Sequence, residues 1–263
     1  MQASPRPLAV VTGASSGIGY NLARICAENG FDLVVAADQP LDEAAMDFRA
    51  LGAQVDTVET ELASRPGVDK LYAAIKGRAV DALLANAGHG LGRDFLEQEF
   101  NEVLHTIDTN ITGTIYLVQK VATDMRARGQ GRILITGAMA GFMPGSHQAV
   151  YKGTEAFIDS FSAALRDELK DTGVTLTCLM PGVTDTDFFV RADMLDVKGT
   201  QEDKADPSEV ARTGFEAMMA GEADVVAGLK NKPQVAEARV KPSQIATGPH
   251  RKMVKPSLDS GIK

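Results

Sequence analysis

One glycine-rich junction constrains this chain more than any other feature. The apolar run LAVVT (8–12) leads into TGASSGIG (12–19), and the helical stretch GIGYNLARICAEN (17–29) follows until Gly30 stops it. A short β-favouring run, a glycine turn and a helical period read as strand, turn and helix. The same alternation continues to about residue 228. FDLVVAA (31–37), QVDTV, DALLANAG (81–88), RILITG (132–137), VTLTCLMPG (174–182) and ADVVAG (223–228) read as strands. Helices are expected at 41–52, 65–76, 97–128, 151–173 and 207–220, the one at 151–173 marked by Phe157, Phe161, Leu165 and Leu169 at four-residue spacing. Strands alternating with helices of this length predict an α/β fold, a doubly wound parallel sheet in a single domain. That domain covers residues 1–229. Within it, 183–207 has weak periodicity and reads as an excursion over the sheet edge that covers a substrate. The segment 230–263 carries Pro233, Pro242, Pro249 and Pro256 among polar residues and is expected to be irregular.

The glycines also suggest a ligand. Gly13, Gly17 and Gly19 can turn the chain tightly and let a pyrophosphate approach the helix N-terminus, where free N–H groups and the helix dipole favour an anion. The candidate loop residues are Gly13, Ser15, Ser16, Gly17, Ile18 and Gly19. Their spacing is G-x-x-x-G-x-G. Asp38 follows Gly19 by 19 residues. An acid at that distance can accept hydrogen bonds from adenosine ribose hydroxyls and repels a 2′-phosphate, so NAD is favoured over NADP.

Charge removes other classes of partner. With 35 acidic against 27 basic residues and a net charge of −8, the chain is not expected to bind nucleic acid or an anionic membrane. Two cysteines, Cys26 and Cys178, stand in no metal-ligand spacing, so no metal is expected. They fit a reducing, cytoplasmic setting. No run is long and apolar enough for a membrane helix or a signal-peptide core.

These motifs, with others in a fixed order, resemble the short-chain dehydrogenase/reductase family over residues 7 to 228: TGASSGIG at 12–19, NAG at 86–88, Asn110 in IDTNITG, Tyr151, and PGVTDT at 181–186. The resemblance implies a Rossmann-type sheet of about seven parallel strands with helices on both faces. It implies an NAD(P)-dependent oxidoreductase acting on a small alcohol or carbonyl. Asn86, Ala87 and Gly88 would line the adenosine side, with Glu61 near the adenine where the family usually has Asp. Pro181, Gly182, Val183 and Thr186 would meet the nicotinamide end. Asn110 would hold a helix kink and a water in the proton path. A homodimer or homotetramer through 97–128 and 151–171 is implied as well.

Two positions depart from the family's catalytic set. Its pattern is Y-x-x-x-K with a serine thirteen residues before the tyrosine; here Ala138 stands for the serine and Glu155 for the lysine. The family's lysine holds the nicotinamide ribose and lowers the tyrosine pKa, while its serine donates to the substrate oxygen. Losing one oriented donor costs ~10²–10³ in rate in comparable sites. An anion about 4 Å from the phenol opposes phenolate by about 4 kcal/mol at an effective dielectric near 20. Tyr151 is therefore expected to stay a neutral phenol and to be a poor base. Glu155 is expected to keep some contact with the ribose hydroxyls and, if buried, to act as an acid or base near neutrality. Neither Thr136, two residues early on its strand, nor Lys152, about 100° round the helix from Tyr151, replaces the missing groups.

Three readings of this pattern remain open. One is an oxidoreductase with slow or absent turnover. Another is an inactive NAD-binding relative, whether silenced by descent or by deliberate replacement. The third is a non-redox lyase, cyclase or isomerase using Tyr151 and Glu155. Phe142, Met143, Phe188, Phe189 and Met194 suggest an apolar substrate pocket, with His147 beside it. His89, His105 and His250 show no partner pattern.

Overall fold

The computed structural model describes residues 6–75, 77–142, 145–192 and 204–227. Seven strands form one parallel sheet in the order β3-β2-β1-β4-β5-β6-β7. They are β1 (Leu8–Thr12), β2 (Asp32–Ala37), β3 (Val55–Glu59), β4 (Ala82–Ala85), β5 (Gly131–Thr136), β6 (Val174–Met180) and β7 (Asp224–Val226). Central strands are almost wholly apolar, Thr12 at the end of β1 excepted, because helices cover both faces of the sheet; every residue of β1 and β4 is buried.

On one face, α1 (Gly17–Glu28), α2 (Asp42–Ala50) and α8 (Pro207–Ala220) bury Leu22, Phe48, Phe215 and Met218 against Val11, Val35 and Leu84. The opposite face holds α3 (Arg65–Ile75), α5 (Thr114–Arg128) and α6 (Ala149–Leu169), whose Leu71, Leu117, Met125 and Ile158 pack on Val10, Leu83 and Ile133. These are the doubly wound layers anticipated from the strand–helix alternation. No helix among the described residues is long and apolar enough to cross a membrane.

The helix expected over 97–128 is interrupted. α4 (Phe100–Ile107) leads into a π-helical turn, Asp108–Gly113, before α5 begins. Gly113 allows this path, since a Cβ there would overlap the carbonyl oxygen of Leu62. Asn110 lies inside the π turn, as the family resemblance implied for a kink.

The Phe157–Leu169 spacing marks α6 without marking its innermost face. Phe157 is 40% exposed, whereas the buried positions are Lys152, Thr154, Glu155, Ile158, Ser162 and Leu169. Polar residues thus line part of the face that α6 turns inward. In the excursion, Thr184 bridges to Ala205, and the one-turn helix α7 (Phe188–Arg191) lies between them. Residues 230–263 lie outside the described residues.

Candidate active site

Strand order reverses between β1 and β4, and the crevice at the carboxyl ends of such strands is where this architecture binds ligands. Thr12, the last residue of β1, closes that crevice at its base. Its Oγ1 accepts from the backbone N–H of Asn86 and of Ala87, both at 2.9 Å. Asn86 Nδ2 donates to Thr12 O at 3.3 Å, and its Oδ1 accepts from Thr136 Oγ1 at 3.0 Å. Thr136 is therefore engaged at the crevice base and does not stand in for the missing serine.

The glycine loop lies directly above. A Cβ on Gly19 would overlap the carbonyl oxygen of Gly13, and one on Gly13 would meet Asn86 Nδ2 at 3.0 Å. Gly17 has φ +59, which favours glycine, and a Cβ there would press on Thr186 Cγ2 at 3.0 Å. Ser16 is the N-cap of α1, yet its hydroxyl caps no backbone N–H, and the first turn of α1 carries no acidic residue. A bare helix N-terminus cradled by glycines fits a dinucleotide pyrophosphate. Asp38 is exposed just beyond β2. Both Asp38 and Glu61 act electrostatically on His89. Glu61 Oε1 also accepts from Ala63 N at 2.8 Å, which fixes the carboxylate against the turn before α3.

The proton-transfer side is built on α6. Tyr151 is partly buried, and its ring lies 5.5 Å from that of Phe188 on α7. Burial raises the phenol well above its ordinary value, with Glu155 and then Asp159 raising it further. Glu155 is 7% exposed. Burial, helped by the nearby Asp159, pushes its carboxyl up to about 8. Around neutrality Glu155 is thus predominantly a protonated, neutral acid. Glu155 is therefore in the buried state for which the sequence suggested an acid or base near neutrality, and burial suppresses the charge it would otherwise place beside the phenol. The consequence for Tyr151 is unchanged, because desolvation alone already opposes phenolate.

Ala138, 9% exposed, heads the loop between β5 and α6. Asp159 lies underneath that loop. A Cβ added at Gly137 would be 2.5 Å from Asp159 Oδ1, and one at Gly141 would overlap Oδ2. Cys178 Sγ lies 3.7 Å from the same carboxylate. Lys152 is buried, which lowers its pKa to about 8. Asn110 ties the two sides of the crevice together. Its Oδ1 accepts from His89 N at 2.7 Å, and its Nδ2 donates to His89 O and to Thr154 Oγ1, each at 2.9 Å. Thr154 in turn donates to Tyr151 O at 2.7 Å.

Several groups were not singled out by the sequence. Asp159 stands four residues beyond Glu155, so helical spacing alone places it on the same face. His89 does have a partner: its ring meets that of His105 edge-on at 4.7 Å. Its position directly after the NAG motif was the available signal. Arg191 of α7 reaches Ser16, a meeting of distant segments that no local pattern announces. His147 pairs with Asp94 and adopts φ +62. Pro181, Gly182, Val183 and Thr186 follow β6, with Gly182 O accepting from Thr184 Oγ1 at 3.0 Å. Phe142 closes the turn after Ala138. Met143, Met194, His250 and the side chain of Phe189 lie outside the described residues. Among the described residues, no group of three or more His, Cys, Asp or Glu could hold a metal ion.

The family model for short chain dehydrogenases matches residues 7–194. The chain belongs to this family. The family is one of NAD(P)-dependent oxidoreductases. The chain is 34% identical over 179 residues to the NADP-dependent 3-hydroxy acid dehydrogenase YdfG of Salmonella typhi, covering 67% of this chain and 72% of that protein. It is also 34% identical over 174 residues to the very-long-chain 3-oxoacyl-CoA reductase of Neurospora crassa, covering 63% of this chain but only 52% of that protein. Among solved structures, the short-chain dehydrogenase of Sphingobium yanoikuyae in complex with NADPH superposes with TM-score 0.80 at 26% identity, covering 89% of this chain and 93% of that one.

Proposed function

We propose that this short-chain dehydrogenase relative binds a nicotinamide dinucleotide, NAD in preference to NADP, and that its redox turnover is slow or absent. When bound, the nicotinamide supplies a hydride donor or acceptor. Gly13, Ser15, Ser16, Gly17, Ile18 and Gly19 would hold the pyrophosphate, and Asp38 the adenosine ribose. Glu61 and Asn86 to Gly88 would flank the adenosine. Pro181 to Val183 and Thr186 would lie at the nicotinamide end, with Glu155 towards its ribose. The NAD preference rests on Asp38, which repels a 2′-phosphate. The NADP dependence of YdfG and the NADPH bound by the Sphingobium yanoikuyae enzyme belong to those proteins.

The observation that carries the reading is the surroundings of Tyr151. The family's arrangement needs a cation to favour phenolate and a hydroxyl to orient the substrate oxygen. Here burial, Glu155 and Asp159 all disfavour phenolate, and Ala138 offers no hydroxyl. Tyr151 can donate a hydrogen bond but is a weak base for an alcohol proton. Phe188 beside Tyr151 favours a small substrate with an apolar arm. Exposed Phe100, Leu104 and Phe157 on α4 and α6 support pairing with a second copy through those helices.

A second reading is favoured by one observation. A buried carboxyl with its pKa pushed up to about 8, next to Tyr151, is suited to acid–base chemistry without hydride transfer, as in a lyase or isomerase.

Titrating NADH by fluorescence and assaying hydride transfer over a panel of alcohols and ketones tests the main reading. Binding without turnover is expected. The double substitution Ala138→Ser with Glu155→Lys is expected to bring dehydrogenase activity to the same groove. Brisk turnover by the unaltered chain would refute the reading. Silence of the double variant, with dinucleotide still bound, would favour the non-redox alternative.

A further inference from the structure

Arg191 brings a cation to the glycine loop. It is the last residue of α7, and its Nη2 donates to Ser16 Oγ at 3.4 Å. Ser16 stands at the N-terminus of the twelve-residue helix α1, the positive end of its dipole. A guanidinium is unfavourable there unless an anion lies between them. The first turn of α1 supplies none. Among the described residues, no carboxylate is within ion-pair distance of Arg191. A positive helix end, uncapped N–H groups and a guanidinium therefore converge on one point, the arrangement that recognises a phosphate.

The helix that carries Arg191 is anchored on both sides. Phe188 N donates to Thr186 Oγ1 at 3.3 Å, and Gly92 N donates to Ala192 O at 3.0 Å. Phe188 and Arg191 stand three apart and so share a side of α7. The first touches Tyr151 and the second touches the glycine loop.

We infer that Arg191 binds the pyrophosphate of the dinucleotide, which ties the cofactor to the helix that also sets Phe188 against Tyr151. The inference rests on the dinucleotide reading above. The pyrophosphate is the group assigned because Arg191 meets the helix N-cap, where this architecture seats a pyrophosphate. The acid expected to face the adenosine ribose, Asp38, stands instead beyond β2.

The test uses the full-length protein, Arg191→Met and Arg191→Lys, with calorimetric titration of NADH, NADPH and ADP-ribose. Arg191 is exposed, so neither substitution opens a buried gap. Arg191→Met is expected to weaken NADH and ADP-ribose alike by about tenfold, the lower range for a hydrogen bond to a charged group. Arg191→Lys is expected to recover part of that loss. Equal affinities of the unaltered chain and Arg191→Met for NADH and ADP-ribose would overturn the inference while leaving dinucleotide binding intact. A loss confined to NADPH would move Arg191 to the 2′-phosphate and overturn it too. Failure of the unaltered chain to bind any of the three would remove both this inference and the proposed function.

Discussion

Replacing Glu155 by Gln removes one titrating proton while keeping the side chain's shape. In the folded protein, burial and Asp159 push this carboxyl from 4.5 up to about 8. In the unfolded chain it titrates at ~4.3. Between those values the folded state holds a proton that the unfolded state has released. Stability from this group is therefore complete below about pH 4.5, declines as pH rises, and is gone above about pH 8. The slope is about 1.4 kcal/mol per pH unit, which sums to at most ~5 kcal/mol across the window. Glutamine carries no such proton. The stability of Glu155→Gln minus that of the unaltered protein should be small near pH 5, grow by a few kcal/mol up to about pH 8, and level off beyond. Lys152, also shifted to about 8 by burial, is present in both proteins and largely cancels in the difference. Urea unfolding followed by circular dichroism at unit steps from about pH 5 to pH 9 measures this directly. A difference that stays constant from pH 5 to pH 8 would refute the assignment of a buried, protonated Glu155.

Asn110→Ala should lower stability by about 3 kcal/mol, since it removes three hydrogen bonds that join the turn after β4 to α6; a shift under about 1 kcal/mol in urea unfolding would argue against that tether. Cys26 and Cys178 are both buried, and burial raises both thiols. Neither should react with a thiol reagent in the folded protein near pH 8, and both should react promptly in denaturant. Fast labelling of the native chain would show that one of the two is accessible.

Much of this molecule is readable from its residues because local signals and tertiary packing agree. β1 and the turn into α1 are legible in LAVVTGASSGIG because a buried strand needs an apolar run and the crossing of Gly13 and Gly19 admits no Cβ. The break between α4 and α5 is less so. Its π turn coincides with hydrogen bonds from Asn110 to His89 and Thr154, which are distant in sequence. The Phe157–Leu169 spacing gave the right helix, with Leu169 buried and Phe161 and Leu165 packed against the core, but Phe157 stays exposed and the spacing did not announce the buried polar groups at 152, 154, 155 and 162. Asp159 was within reach of helical spacing from Glu155. Arg191 was not, because its meeting with Ser16 depends on how the excursion after β6 returns across the top of the sheet.

Tyr151 sits in surroundings hostile to its ionised form, and the claim of slow or absent turnover turns on this. Ultraviolet difference titration of the unaltered chain against Tyr151→Phe isolates that phenol from the other three tyrosines. No ionisation attributable to Tyr151 should appear up to about pH 10, the value for a free tyrosine. Loss of its proton around neutral pH would contradict the claim, and Tyr151 would then be able to take a proton from an alcohol.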